Sequence, residues 1–419
     1  MTAPSPSVRA VARVAPGAPA PSGPAEVPRP RRRPSHLGRV HLLQLLLVET
    51  AVVGTLAAAT QGTVPAVATG VVGAAVVAVT LARRGGRWWL ERWMMSVTQR
   101  RRRRNRPVPH GDPRVTALRH LAPGLTAQNV SVGDSSDIGV ARDDAGWYAC
   151  AAVSTGRRRK GDDRTLPLDQ LVATLADTGQ PGAVLQVVSL TVPAPGMDTP
   201  PASHAGQSYR QLLTGFGSVA VPAHRSIWIT VRLDAWALAE AVVDEHGTAL
   251  DDVPDLVAAL LHRVTKTLRR TGYTAQPLDV DGLLDALTHS CDLETPTVPG
   301  TGGGEPREEW SRWHSRRLAH RTFWVRRWPA SDQIEALLDA VATTPSAMSS
   351  VALILAPEPD GNGVDLRGLV RLAAPAPELN PVCLAANRAA ELAGADLFPL
   401  DGEHSPAVYA SAPTGGGAR

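Results

Sequence analysis

Residues 42–59, LLQLLLVETAVVGTLAAA, and 64–82, VPAVATGVVGAAVVAVTLA, stand back to back in the first fifth of the chain. Each is close to the ~20 residues a helix needs to cross a bilayer core, and the link Thr60-Gln61-Gly62-Thr63 carries no charge. Arginines flank the pair on both outer sides. Arg29, Arg31, Arg32, Arg33 and Arg39 precede it, and Arg83, Arg84, Arg87, Arg92, Arg100–Arg104 and Arg106 follow it. By the positive-inside rule both flanks face the cytoplasm. The expectation is a mixed α/β cytosolic domain behind an N-terminal two-helix transmembrane hairpin, in the cell membrane with two spans and with the N-terminus and the C-terminal domain cytoplasmic. A cleaved signal peptide fits less well, because the first apolar run starts more than 40 residues in, no small-residue cleavage site follows, and a second run does.

Charge is divided unevenly along the chain. Residues 1–110 hold 17 Arg, no Lys and three acidic residues (Glu26, Glu49, Glu91), a balance of +14; the whole chain is +4, so the remainder carries 4 − 14 = −10. A basic collar beside a bilayer attracts anionic lipids, whereas an acidic soluble domain argues against nucleic acid as a partner. Cys150, Cys291 and Cys383 are far apart and odd in number, with no Cys-x-x-Cys pair, and read as free cytosolic thiols.

Working outward gives seven segments. Residues 1–35 are Pro-, Ala- and Ser-rich, with nothing to pack, and read as a disordered basic arm. The hairpin takes 36–87, with spans at about 42–59 and 64–82. An amphipathic Trp- and Arg-rich juxtamembrane segment covers 88–110, where Trp88, Trp89 and Trp93 suit the headgroup region and Arg100, Arg101, Arg102, Arg103 and Arg104 suit lipid contact. A first α/β half spans 111–294. Its helix "DDVPDLVAALLHRVTKTLRRTG" begins acidic, ends basic and stops at Gly272. A flexible linker, 295–306, contains Gly302-Gly303-Gly304, a second α/β half spans 307–411, and 412–419 read as a disordered tail. The similarity between the halves is too weak, on sequence, to name a repeat.

Chemistry-bearing patterns are few. The chain lacks a Gly-x-x-x-x-Gly-Lys-Ser/Thr phosphate loop, a His-Glu-x-x-His zinc helix and a Gly-x-Ser-x-Gly elbow. Asp279-Val280-Asp281 has the spacing with which two carboxylates share one hard cation, but it directly precedes "GLLDALTH", so helix capping explains it better. The His314/His320 pair fits no helix-face ligand spacing, and Trp310, Trp313, Trp324 and Trp328 serve core packing as readily as a stacking surface. No catalytic, cofactor-binding or metal residue is assigned, and no cofactor or small-molecule substrate is expected. Glu49 lies mid-span, where a carboxylate must be paired or protonated; it is read as a buried contact to a neighbouring span or subunit. Ala66, Gly70 and Ala74 are spaced to let another helix approach closely, so these four are the expected assembly residues.

Together "HLGRVHLLQLLLVETAV", the second apolar run, "RRGGRWWLERW", the run Arg100–Arg104 and an α/β domain of this size resemble EccE, the E component of the type VII (ESX) secretion membrane complex of actinobacteria. A GC-rich genome, implied by only Lys160 and Lys266 among 43 basic residues, agrees with such a source. The resemblance implies a non-catalytic core subunit that anchors and assembles the export machinery beside EccB, the EccC ATPase and EccD, and that contacts anionic lipid. The alternative is a membrane-anchored glycosyltransferase-like enzyme at the cytoplasmic face, with Asp279 and Asp281 as its metal ligands. A lipid-binding adaptor held by the polybasic collar is a third reading.

Overall fold

A computed structural model describes residues 36–37, 40–84, 87–104, 108–132, 137–154, 166–193, 203–215, 223–244, 252–293, 305–330, 333–357 and 363–417. The arm (1–35), most of the expected linker and the last two residues lie outside that set. The chain divides into two units, residues 30–105 and the remainder.

The small unit opens with the short strands β1 (His36–Leu37) and β2 (Val40–His41) and continues into α1 (Leu42–Ala59) and α2 (Thr63–Leu81). The strands β3 (Arg83–Arg84) and β4 (Arg87–Trp88) form a minimal ribbon that leads into α3 (Trp89–Arg104). Helices therefore form where the apolar runs are, and they pack on each other as a hairpin.

The expected transmembrane hairpin is not supported. Among the described residues no helix is long and apolar enough to cross a membrane. α1 is 18 residues long and α2 19, about 27 and 29 Å of helix at 1.5 Å per residue, against a hydrocarbon core of about 30 Å. The two-span topology that rested on those helices is withdrawn with them.

The large unit is a mixed α/β fold on a twelve-stranded sheet. Its elements are α4 (Pro113–Leu118), β5 (Thr126–Val130), β6 (Ile138–Asp143), β7 (Gly146–Ser154), α5 (Leu168–Ala176), β8 (Ala183–Pro193), α6 (His204–Gly215), β9 (Ala223–Asp234), α7 (Ala235–Asp244), α8 (Val253–Arg270), β10 (Thr274–Pro277) and α9 (Val280–Ser290). Then come β11 (Arg307–Glu308), β12 (Trp313–His314), β13 (Ala319–Arg327), α10 (Ile334–Ala342), β14 (Met348–Pro357), β15 (Val364–Ala374), α11 (Leu379–Leu392), β16 (Asp396–Pro399) and α12 (His404–Ala410). The spatial order is β11-β12-β13-β15-β14-β8-β9-β7-β6-β5, with β10 added to β7 and β16 to β13, and every neighbouring pair is antiparallel.

That order contains one motif twice. In the first half β9 lies inside β7, and β6 and β10 share β7's outer edge; in the second, β15 lies inside β13, and β12 and β16 share its outer edge. The halves join where β8 meets β14, Leu185–Thr191 running against Ser349–Leu355. The repeat extends to side chains. At one constant offset Val257, Leu260, Leu261, Val264 and Leu268 of α8 correspond to Leu379, Val382, Cys383, Ala386 and Ala390 of α11, all buried. The same offset relates Gly272 to Gly394, both in the left-handed region that ends a helix (φ 88° and 82°), and Pro277-Leu278-Asp279 to Pro399-Leu400-Asp401.

Strand alternation separates two faces. Ile229, Val231 and Leu233 of β9 join the core under α5 and α8, and Val370 and Leu372 of β15 join the core under α10 and α11. Trp228, Thr230 and Arg232, with Leu369, Arg371 and Ala373, face the opposite side, where α4, α9 and α12 lie over the third core. The polar residues on that second face make up the buried site.

Candidate functional site

In the small unit the helix contact runs through Ala51 and Thr55 of α1 and Gly70 and Gly73 of α2. A β-carbon at Gly73 would lie 3.4 Å from Ala51 Cβ, and one at Gly70 would lie 3.5 Å from Thr55 Cγ2. Ala66 and Gly70 are half-buried, whereas Ala74 and Glu49 are exposed. The outward faces are apolar: Leu46, Val52, Val53, Leu56, Val67, Val71 and Val72 are between 49% and 66% exposed. In α3, Met95 and Gln99 are buried, and Trp89, Trp93, Arg100 and Arg104 are exposed at spacings that share one helix face. Arg101 and Arg103 are exposed, Arg102 is half-buried, and the Trp88 side chain is outside the described residues.

The two candidate metal carboxylates are already engaged. Asp279 is the N-cap of α9 and accepts from Gly282 N at 2.8 Å; Asp281 pairs with Arg114 at 2.6 Å, as do Asp285 at 2.8 Å and Asp112 at 2.7 Å. This hydrogen bonding holds the Asp112 carboxyl below the usual carboxylate range. The cluster edges a cleft of about 510 Å³ lined by Arg114, Trp228, Leu278, Asp285, Thr288 and His289. Among the described residues no group of three or more His, Cys, Asp or Glu side chains could hold a metal ion.

The buried polar site lies where the halves meet. Asp143, in the β6–β7 turn, accepts from Ala145 N and Gly146 N at 2.8 and 3.1 Å, and Ser315 Oγ, in the β12–β13 turn, accepts in the same way from Arg317 N and Leu318 N at 3.1 and 2.9 Å. Each turn then joins a polar cluster that reaches the last helix of the other half or the segment that follows it. Asp143 pairs with Arg232 and accepts from Tyr409 Oη at 3.0 Å; Arg232 Nη1 donates to Thr414 O at 2.8 Å, and Gln186 Oε1 accepts from Thr414 N and Gly415 N. On the other side Ser315 donates to Asp292, which also pairs with Arg317 at 2.6 Å and lies 3.4 Å from His320, while Arg371 donates to Ser290 O.

Residues 412–415, read above as part of a tail, are therefore buried at this junction. Sequence reasoning missed Arg232 and Arg371 because each is a single arginine set between apolar neighbours, Val231 and Leu233 in β9 and Val370 and Leu372 in β15. The available signal was that alternation places both on the covered face.

Electrostatics agree with a structural role. Burial opposes charge on Asp292, but His320, Ser315 and Arg317 outweigh it and lower its pKa to about 2. Burial lowers His320 and His404, and it raises the thiols of Cys150 and Cys291 to about 12 and of Cys383 to about 11. Thiols so protonated are poor nucleophiles.

Residues 221–325, from just before β9 into β13, match the family model described as "Putative type VII ESX secretion system translocon, EccE". No curated protein matches the chain. The match covers 105 of the 419 residues and supports a component related to type VII secretion. It lies in the large unit, independent of the N-terminal motifs, and supports assignment of the chain to the EccE family.

Proposed function

We propose that the protein is a non-catalytic assembly subunit of a type VII translocon. Its apolar hairpin docks against apolar helices of the other components, EccB, the EccC ATPase and EccD, and its large unit presents a rigid surface to them. The observation that carries this reading is the hairpin itself. Small residues fill its internal contact, while a continuous set of Leu and Val side chains faces outward, and exposed apolar area of that kind marks an interaction surface. Glu49 and Ala74 lie on outward faces and meet the neighbouring helices, with Ala66 and Gly70 at the edge of the contact. The exposed face of α3, with Trp89, Trp93, Arg100 and Arg104 and flanked by Trp88, rests on anionic lipid and sets the unit's orientation. Affinity purification of the full-length protein from its own membrane fraction in mild detergent, followed by mass spectrometry, tests the assembly reading. Recovery with a multidomain ATPase and a many-span membrane protein is expected, and recovery alone overturns it.

A further inference from the structure

The duplicated fold carries its own control for the outer surface of α8. The buried positions of α8 and α11 correspond, but their outward positions do not. At the offset that relates the helices, Arg263, Lys266, Arg269 and Arg270 of α8 stand where α11 has Ala385, Arg388, Glu391 and Leu392. All four α8 cations are exposed. Arg269 donates to Ala275 O at 2.8 Å, and among the described residues no hydrogen bond or ion pair engages Arg263, Lys266 or Arg270.

Arg269 and Arg270 lie in the last turn, where a helix end attracts cations. Arg263 and Lys266 lie earlier and gain less from that field. The pairs Arg263/Lys266 and Lys266/Arg270 put like charges at neighbouring helix spacings, which is unfavourable for the helix itself, whereas the twin helix has Arg388 three residues before Glu391. The fold therefore tolerates other residues here, and the cations weaken the helix that bears them. They also concentrate positive charge on a part of the chain whose net charge is −10.

We propose that the outer face of α8 is a docking surface for anionic lipid headgroups, a second lipid contact separate from α3. Charge complementarity selects this occupant. The cationic stretch exposes no large apolar or aromatic side chain, so it lacks the aromatic anchors that fill pockets at protein interfaces, and it offers exposed cations along one helix face, which suits a diffuse anionic surface.

The experiment uses the full-length protein with Arg100–Arg104 replaced by Gln, so that the α3 contribution is removed, and flotation with phosphatidylcholine vesicles with or without phosphatidylglycerol. Adding Arg263→Gln, Lys266→Gln and Arg270→Gln should weaken the phosphatidylglycerol-dependent binding by on the order of a hundredfold at low salt, about fivefold per cation, and leave binding to phosphatidylcholine alone unchanged. Arg263→Lys with Arg270→Lys should bind as the parent does, and thermal melts should show the Gln variant folded. Unchanged binding to phosphatidylglycerol vesicles overturns the proposal, as does an equal loss on both vesicle types. Intact vesicle binding with loss of an acidic protein or RNA ligand also overturns it. Co-purification with translocon components is a separate measurement and stands or falls independently.

Discussion

Arg232 joins a turn in the first half to the segment after the last helix of the second, and its replacement tests that junction directly. Arg232→Leu leaves Asp143 buried without its cation and Thr414 O without its donor; breaking a buried pair in this way costs roughly 3–5 kcal/mol, to be read as a lower urea midpoint at unchanged slope. Gly415 has φ +78°, and a β-carbon there would lie 2.4 Å from Arg232 Cβ. Gly415→Ala should therefore cost about 1–3 kcal/mol, measured as a fall in Tm. Acid should act on the same junction. Burial depresses the folded-state values of His320 and His404 below the usual 6.5, so the unfolded chain takes up protons first and stability falls as pH drops below 6.5. Asp292, at about 2 when folded against 3.8 unfolded, adds a second loss as pH falls from 3.8 towards 2. Urea midpoints measured across a pH series should decline in those two steps, and His320→Gln should shrink the first to the part that His404 supplies.

Helices behave differently in the two units. The contact of α1 with α2 is made of small groups, and the nearest approach, Ala51 to Gly73, is close to the β-carbon separation of a disulfide, ~3.5–4.5 Å. Ala51→Cys with Gly73→Cys should cross-link within one chain on mild oxidation, seen as a mass loss of two hydrogens and a faster band on a non-reducing gel. The three native cysteines are buried and should not compete. In α8 and α11 the buried stripe was legible as apolar periodicity, and Gly272 was read correctly as a stop signal. That the two helices are counterparts was not legible, since their outward residues have diverged and only the Gly and Pro-Leu-Asp signals keep their spacing.

Across the whole large unit the sheet is continuous, and the halves share the β8–β14 ladder and the crossed contacts at Asp143 and Ser315. A protease site inserted at Gly303 should therefore yield, after cleavage, two fragments that co-elute under native conditions and separate only in denaturant. Fragments that part in native buffer would show that the ladder and the crossed contacts together do not hold the halves. The Asp279 cap was legible from the residues that follow it. The partnership of Asp281 with Arg114 was not, because the two are brought together by packing of α4 on α9 and are far apart in sequence.

Local order along the chain determined where helices, strands and turns form: apolar runs, capping carboxylates and C-terminal glycines act within a few residues. Charge placement likewise settled that the basic character belongs to the N-terminal part. The tertiary structure alone decided that two α/β halves form one sheet and that residues 412–415 are buried against it. It also decided that Arg232 and Arg371 face the covered side and that no described helix is long and apolar enough to cross a membrane. Those outcomes depend on hydrogen-bond ladders and side-chain contacts between residues far apart in sequence, and periodicity within one segment carries no information about its distant partners.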